Sequence, residues 1–328
     1  MSRRDRIAGG LLGVHAGDAL GATVEFSSWE TIHAQYPVGV RDIVGGGPFR
    51  WPPGHATDDT DLTRAVLRAH LHPGDDVVRA AADQMVAWWT GDWPGREPGT
   101  RPRDIGAATA DGLRRYRSGG DPRASGAGAG RAGNGSLMRC LPTALAVADR
   151  DRRIRDSMEI SAITHDDPRC TVACAAYNEI AAARLDGATP DSAVAAGREV
   201  AAGLVTALAV EAGPDPATVV EAIDFGGKLR PAVLAATGPG SLADLGGGYV
   251  IDSLTLAVAA VLDARPLPDV VIDIVRVGSD TDTNAAIAGG LLGVRDGVGA
   301  IPANWIATLQ FADEFLAASD TLTNHHPG

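Results

Sequence analysis

Residues 278–294 read GSDTDTNAAIAGGLLGV, in which two aspartates and two threonines crowd the start of an apolar segment. Asp280, Thr281, Asp282 and Thr283 offer oxygen atoms as their side-chain ligands. One carboxylate or hydroxyl is enough to cap a helix, where it contributes about 0.5–2 kcal/mol. Acids placed this close repel one another, so a bound cation that neutralises them explains the surplus better than capping does.

A second oxygen-rich cluster stands far upstream, in HATDDTDLTRAVL at residues 55–67. It also leads into an apolar stretch, so the two clusters predict one shared site. No His or Cys lies within residues 57–61 or 280–283. Ligands that are all oxygen select Mg²⁺, Mn²⁺ or Ca²⁺ over zinc.

The periodicity of apolar residues predicts an all-α fold. Leu62, Ala65, Val66 and Ala69 recur at the spacing of one helix face. Alanine-rich segments such as TVACAAYNEIAAARLDG and SLTLAVAAVLDA are equally typical of helices. One segment stays open, because the β-branched run DVVIDIVRV at residues 269–277 fits a buried strand as well as a helix.

An exact repeat indicates which two helices meet. The octamer IAGGLLGV occurs at Ile7–Val14 and again at Ile287–Val294. Two glycines four residues apart in each copy would give a helix a flat stripe that another backbone can approach closely. Tight packing of the two helices would bring Glu25 near Asp280, whereas coincidence in a chain rich in Ala, Gly and Leu is the alternative. The glycines are Gly9 with Gly13 and Gly289 with Gly293.

Composition limits the class of protein. The formal net charge of −12 and the lack of a basic stripe argue against nucleic acid as a direct partner. His15 and Asp18 interrupt the apolar run near the amino end, and we find no long apolar run elsewhere, which argues against a signal peptide and a membrane span. Three cysteines without a CxxC pair predict buried thiols of a cytoplasmic protein. One lysine against many arginines, with abundant Ala and Gly, is typical of a high-GC genome, and we expect a bacterial protein.

The motifs and their order resemble those of the ADP-ribosylglycohydrolases. The resemblance rests on GLLGVHAGDALGATVEF, TDDT, RPRDIGAAT, GNGSLMRCLPTAL, ITHDDP and GSDTDTNAAIAGGLLG, and TDDT followed by DTDT is its specific part. It implies an all-α domain over residues 1–320 with a tail at 321–328, and a centre of two Mg²⁺ or Mn²⁺ ions. The implied reaction is hydrolysis at the anomeric carbon of the distal ribose of an ADP-ribosylated protein or a small-molecule ADP-riboside, with release of ADP-ribose.

The resemblance also implies roles for particular residues. Glu25 or Asp59 would be the general acid or base, a choice that the sequence leaves open. The metal ligands would be Thr57, Asp58, Asp59, Asp280, Asp282 and Thr283. The substrate would contact Asp104, Gly133, Asn134, Gly135, Ser136, Met138, Arg139 and His165.

Other interpretations fit parts of the sequence. GSDTDTN could be the nucleophile loop of a haloacid dehalogenase phosphatase after a strand, although Asn284 stands where that loop has Thr or Val. His165 with Asp166 is similar to metal-binding HD phosphohydrolases, but no suitably spaced upstream His cluster accompanies the pair. A non-catalytic ADP-ribose-binding or structural relative of the same fold is the third alternative. The acceptor stays open, and GDWPGREPGTRPRD at residues 91–104 is either part of the entrance or a surface linker.

Overall fold

A computed structural model describes residues 1–208, 214–238, 240 and 245–325. In these residues the chain forms sixteen α-helices and no strand, which confirms the predicted all-α fold. The helices are α1 (Arg3–Gly21), α2 (Trp29–Gln35), α3 (Asp58–Leu71), α4 (Val77–Thr90), α5 (Ala107–Gly119), α6 (Leu141–Ala146), α7 (Arg150–Ala162), α8 (Pro168–Leu185), α9 (Pro190–Leu208), α10 (Ala217–Gly226), α11 (Pro231–Thr237), α12 (Val250–Leu262), α13 (Leu267–Val277), α14 (Thr281–Asp296), α15 (Ala303–Thr308) and α16 (Ala312–His325).

The ambiguous segment at residues 269–277 is helical and forms most of α13. Every residue from 270 to 275 is buried, so α13 is covered on most of its sides, and its burial pattern does not distinguish a helix from a strand. Asp273, on the same helix, lies within ion-pair distance of two arginines. The helix removes the strand on which the dehalogenase interpretation depends.

The two helices that carry the repeated octamer form the centre of the fold. The whole of α1 from Ile7 onward and all of α14 except its last residue are buried. A Cβ placed on Gly13 would lie 2.2 Å from the carbonyl oxygen of Gly289, and one on Gly293 would lie 1.9 Å from that of Gly9. The predicted close packing of these helices is therefore confirmed, and it leaves no room for any side chain at the contact.

The glycine contact aligns the end of α1 with the start of α14. The Thr281 hydroxyl donates to the carbonyl oxygen of Gly21 at 2.8 Å. Just beyond the helix ends, the Phe26 amide donates to the Ser279 carbonyl at 2.7 Å, and the Ser279 amide donates to the Ser27 carbonyl at 2.8 Å. These bonds place Glu25 beside Asp280, as the repeat predicts.

Three further predictions meet the structure at this level. The predicted boundary between the domain and the tail, at residue 320, falls inside α16. The last three residues of the tail lie outside the described part of the chain, so the division into domain and tail stays a prediction. Cys140, Cys170 and Cys174 are free and buried. In the described residues no helix is both long and apolar enough to cross a membrane.

Replacing Gly293 by Ala should destabilise the protein strongly, because the new methyl group would overlap the backbone of α1. We expect the free energy of unfolding to fall by about 3 kcal/mol or more, as for overpacking against an unyielding neighbour. Gly203→Ala is the matched control, since Gly203 is exposed in α9 and a Cβ there meets nothing within 4 Å. That substitution should stabilise by about 0.5–1 kcal/mol. Urea unfolding of both variants checks this, and similar effects at the two positions would contradict it.

Candidate active site

A cavity of about 430 Å³ opens where the amino ends of α3 and α14 meet the segment that follows α1. Throughout this article it is called the acidic cavity, because carboxylates from all three segments line it. Eleven of the residues predicted from the sequence lie on its wall. They are Glu25, Asp58, Asp104, Gly133, Asn134, Gly135, Met138, His165, Asp280, Asp282 and Thr283.

The other four predicted residues lie behind the wall. Thr57, Asp59, Ser136 and Arg139 are each buried, with at most 1% of their surface exposed. Asp59 nevertheless joins the two oxygen-rich clusters, since the hydroxyls of Thr57 and Thr283 both donate to its Oδ2 atom at 3.2 Å. The structure therefore brings the two oxygen-rich clusters together at Asp59.

The first cluster is positioned by a residue that the sequence analysis did not assign. Asp18, buried in α1, accepts hydrogen bonds from the backbone amides of Thr57 at 3.1 Å and Thr60 at 3.2 Å, and from the Thr60 hydroxyl. It thereby binds the free amino end of α3 and fixes the direction of the helix. The signal was a carboxylate in the middle of an apolar helix, which has to find buried donors.

The second cluster is held from the opposite side. The side-chain amide of Asn134 donates to Asp280 Oδ2 at 2.7 Å and to the hydroxyl of Ser253 at 3.0 Å. The Asp280 amide donates to the carbonyl of Gly246 at 3.0 Å. Asn134, predicted as a substrate contact, therefore also orients a predicted metal ligand.

The glycine-rich segment rests on a buried arginine. Arg139 donates to the carbonyl of Gly135 at 2.8 Å and to the Thr164 hydroxyl at 2.7 Å, and burial lowers the pKa of Arg139 to about 10. His165 packs under the segment: a Cβ on Gly135 would lie 3.0 Å from its ring. Burial lowers the pKa of His165 to about 3, so the ring is neutral. Ser136 accepts a bond from Ser161 at 2.9 Å and faces away from the cavity.

Negative charge in the acidic cavity is poorly compensated by the protein. Burial, followed by repulsion from Asp280, raises the pKa of Glu25 to about 8. Burial is also the main cause that raises the pKa of Asp18 to about 7 and that of Asp104 to about 6. The pKa values of Asp58, Asp59 and Asp282 are held well above their usual range by burial and by neighbouring carboxylates.

The carboxylate oxygens at the acidic cavity fit a hard cation as its ligands. Glu25 Oε2, Asp59 Oδ1 and Asp282 Oδ1 are buried and accept no hydrogen bond from the protein. Buried carboxylate oxygens without a donor are costly, and a divalent cation would remove that cost. In the described residues no three His, Cys, Asp or Glu side chains form a metal site by themselves. The hydroxyls of Thr57 and Thr283 donate to Asp59 Oδ2 in this structure.

Comparison with known proteins shows which family the chain belongs to. A family model for ADP-ribosylglycohydrolase matches residues 1–327. The chain belongs to the ADP-ribosylglycohydrolase family. Membership makes it a hydrolase of ADP-ribosyl linkages and confirms the resemblance found in the sequence.

Family members with similar sequences come from several bacteria. An ADP-ribosyl-(dinitrogen reductase) glycohydrolase of Rhodospirillum rubrum is 30% identical over 95% of this chain and 93% of its own length. An ADP-ribosylarginine hydrolase Tri1 of Pseudomonas putida is 28% identical over 98% of this chain and 79% of its own length. A solved ADP-ribosylglycohydrolase-related protein complex superposes with a TM-score of 0.78 at 28% identity, covering 98% of both chains.

Without divalent cations the protein should become less stable as the pH rises from about 5 to about 8. The folded protein holds protons on Glu25, Asp18 and Asp104 that the unfolded chain, with carboxyl pKa values near 4, has already released. The free energy of unfolding therefore falls across this range. Thermal unfolding in chelator checks the sign. Glu25→Gln should show a smaller decline, and a stability that rises with pH would contradict the raised pKa values.

Proposed function

We propose that the protein is a cation-dependent glycohydrolase that uses two Mg²⁺ or Mn²⁺ ions to release ADP-ribose from ADP-ribosylated arginine of a protein. The observation that carries the proposal is the junction at Asp59, where hydroxyls from both oxygen-rich clusters converge on one buried carboxylate. Family membership supports the hydrolysis of an ADP-ribosyl linkage. The names of the Rhodospirillum and Pseudomonas relatives favour a protein acceptor and arginine as the linked residue.

The proposed ligands of the cations are those predicted from the sequence. Bound divalent ions would orient ribose hydroxyls and lower the pKa of a water molecule. The unpartnered oxygens of Asp59 and Asp282 support this assignment. The full set is Thr57, Asp58, Asp59, Asp280, Asp282 and Thr283.

The positions of Glu25 and Asp59 favour Glu25 as the general acid or base. Asp59 lies behind the wall and already accepts two threonine hydroxyls. Glu25 lies on the wall, and its Oε2 atom is unpartnered. Burial raises the pKa of Glu25 to about 8 in the protein without cations. With cations bound this pKa would be lower, and Glu25 would exchange a proton with the attacking water or the departing acceptor. The transition state at the anomeric carbon should resemble an oxocarbenium ion, next to which nearby carboxylates are favourable.

The rest of ADP-ribose would lie along the glycine-rich side of the acidic cavity. Gly133, Gly135, Met138 and His165 line this side. Backbone amides without bulky side chains allow a diphosphate to approach closely. The buried Arg139 beneath the segment keeps these amides in place rather than contacting the phosphates itself.

Release of free ADP-ribose from a panel of substrates tests the proposal. Arginine-linked, serine-linked and small-molecule ADP-ribosides should be compared with Mg²⁺, with Mn²⁺ and with chelator. We expect release from the arginine-linked substrate in either metal and none in chelator. Tight binding of ADP-ribose without release from any substrate would instead indicate a non-catalytic binding protein.

Asp280→Asn should abolish cation binding and hydrolysis together. Asp280 lies at the start of α14 and accepts from Asn134, so the amide removes one negative charge while keeping the shape of the side chain. We expect cation affinity by calorimetry and kcat/KM each to fall by more than about 100-fold. Asp151→Asn on the exposed start of α7 is the control. Helical circular dichroism should be unchanged in both variants, and retained turnover in Asp280→Asn would refute the ligand assignment.

A further inference from the structure

We propose that a second cavity beside the acidic one binds an acidic side chain of the modified polypeptide, close to its ADP-ribosylated residue. This basic cavity, of about 360 Å³, is lined by residues from segments 50–61 and 88–104. The inference rests on the proposed function, because it assigns the protein part of the substrate to a place next to the reacting bond. It concerns recognition of the acceptor and adds no chemical step.

The two cavities adjoin. Arg103 and Asp104 line both of them. The glycine-rich segment at residues 133–138, the proposed place of ADP-ribose, lines the acidic cavity. A substrate bound there with its anomeric carbon among the carboxylates can direct its acceptor past Asp104 and toward the basic cavity.

Three guanidinium groups give the basic cavity its charge. Arg50, Arg101 and Arg103 are exposed, and none of them has a carboxylate partner among the described residues. About half of the exposed arginines in the described residues form ion pairs, as Arg123 does with Asp76 at 2.8 Å. A chain with a net charge of −12 thus keeps three unpaired positive groups together at the mouth of its site. Guanidinium groups bind carboxylates through two parallel hydrogen bonds, which matches an Asp or Glu side chain.

Aromatic rings form the floor between the arginines. The ring of Trp51 stacks on that of His55 with centroids 4.5 Å apart, and the guanidinium of Arg103 lies 5.7 Å from the Trp51 ring. Phe49 packs against Trp51 at 5.6 Å and against Phe26 at 6.4 Å. These rings make a continuous surface from the residue after Glu25 to the basic cavity, along which an extended peptide can lie.

A buried anchor holds the wall of the basic cavity in place. Asp61 accepts hydrogen bonds from the indole groups of Trp88 at 3.1 Å and Trp93 at 3.0 Å, and from Arg96 and Arg64. Arg96 also donates to His55 and to the carbonyl of Ala56. Trp93 and Arg96, in the loop at residues 91–104, are thereby held in place before any ligand arrives, which lowers the entropic cost of binding.

The test compares free ADP-ribosylarginine with two peptides that carry ADP-ribosylarginine, one with Glu and the other with Ala in the positions flanking the modified residue. We expect a higher kcat/KM, through a lower KM, for the Glu peptide. We expect the kcat/KM of the Glu peptide to exceed that of the Ala peptide by about fivefold to tenfold. Arg50→Ala with Arg101→Ala should remove this preference and leave hydrolysis of free ADP-ribosylarginine unchanged. Neither arginine lines the acidic cavity, and Arg155→Ala on α7 is the matched control.

A charge swap makes the test specific. Arg50→Glu with Arg101→Glu should favour a peptide with Lys in the flanking positions over the Glu peptide, reversing the order seen in the unmodified protein. An equal loss of kcat/KM for free ADP-ribosylarginine and both peptides would overturn the proposal, because the arginines would then bind ADP-ribose itself. Equal values for the Glu and Ala peptides in the unmodified protein would overturn it as well.

Fluorescence anisotropy of the same labelled peptides separates this inference from the proposed function. If no substrate is hydrolysed but the Glu peptide binds more tightly to the unmodified protein than to the double arginine variant, the proposed function is wrong. The assignment of the basic cavity as the site for an acidic side chain is then still supported. If neither peptide binds more tightly than the other, the basic cavity does not select an acidic partner, whatever the catalytic result.

Discussion

The contact between the backbones of α1 and α14 determines where the rest of the site can lie. Glycine lets the two helices approach until a carbonyl of one occupies the space where the other would carry a Cβ atom. α12, α13 and α16 pack around this pair. Since the end of α1 and the start of α14 are then fixed together, Glu25 and Asp280 face one cavity without any flexible connection between them. The precision of the site comes from the core and not from the loops.

The same core supports an unfavourable concentration of charge. Seven carboxylates with raised pKa values lie within or just behind the wall of the acidic cavity, and burial is the largest cause for each. Such a group of acids destabilises the folded state unless protons or cations neutralise it. The large apolar core, with α1 and α14 buried on all sides, offsets this cost. The proposed need for cations and the need for a rigid core therefore have the same cause, which is the group of buried carboxylates.

Much of this arrangement could be predicted from sequence because its signals are local. The repeated octamer indicated the helix contact, the two oxygen-rich clusters indicated a common site, and the periodicity indicated helices. Other features depend on long-range contacts that leave no local mark. Asn134 was placed among the substrate contacts, yet it binds Asp280, and Arg139 supports the glycine-rich segment from behind. The strand-like run in α13 is a helix covered on most of its sides, so its apolar residues carried no period that could separate a helix from a strand.

Three residues with a strained backbone line the two cavities. The non-glycine residues with positive φ in the described part of the chain are Phe26 at 61°, Arg50 at 56° and Ser279 at 66°. Phe26 and Ser279 line the acidic cavity, and Arg50 lines the basic one. Such conformations cost of order 1–3 kcal/mol each and persist only where surrounding structure enforces them. For Phe26 and Ser279 the enforcing structure is the pair of backbone hydrogen bonds between the ends of α1 and α14. The glycine contact thus fixes the acids and also holds Phe26 and Ser279 in the conformations that shape the mouth of the acidic cavity.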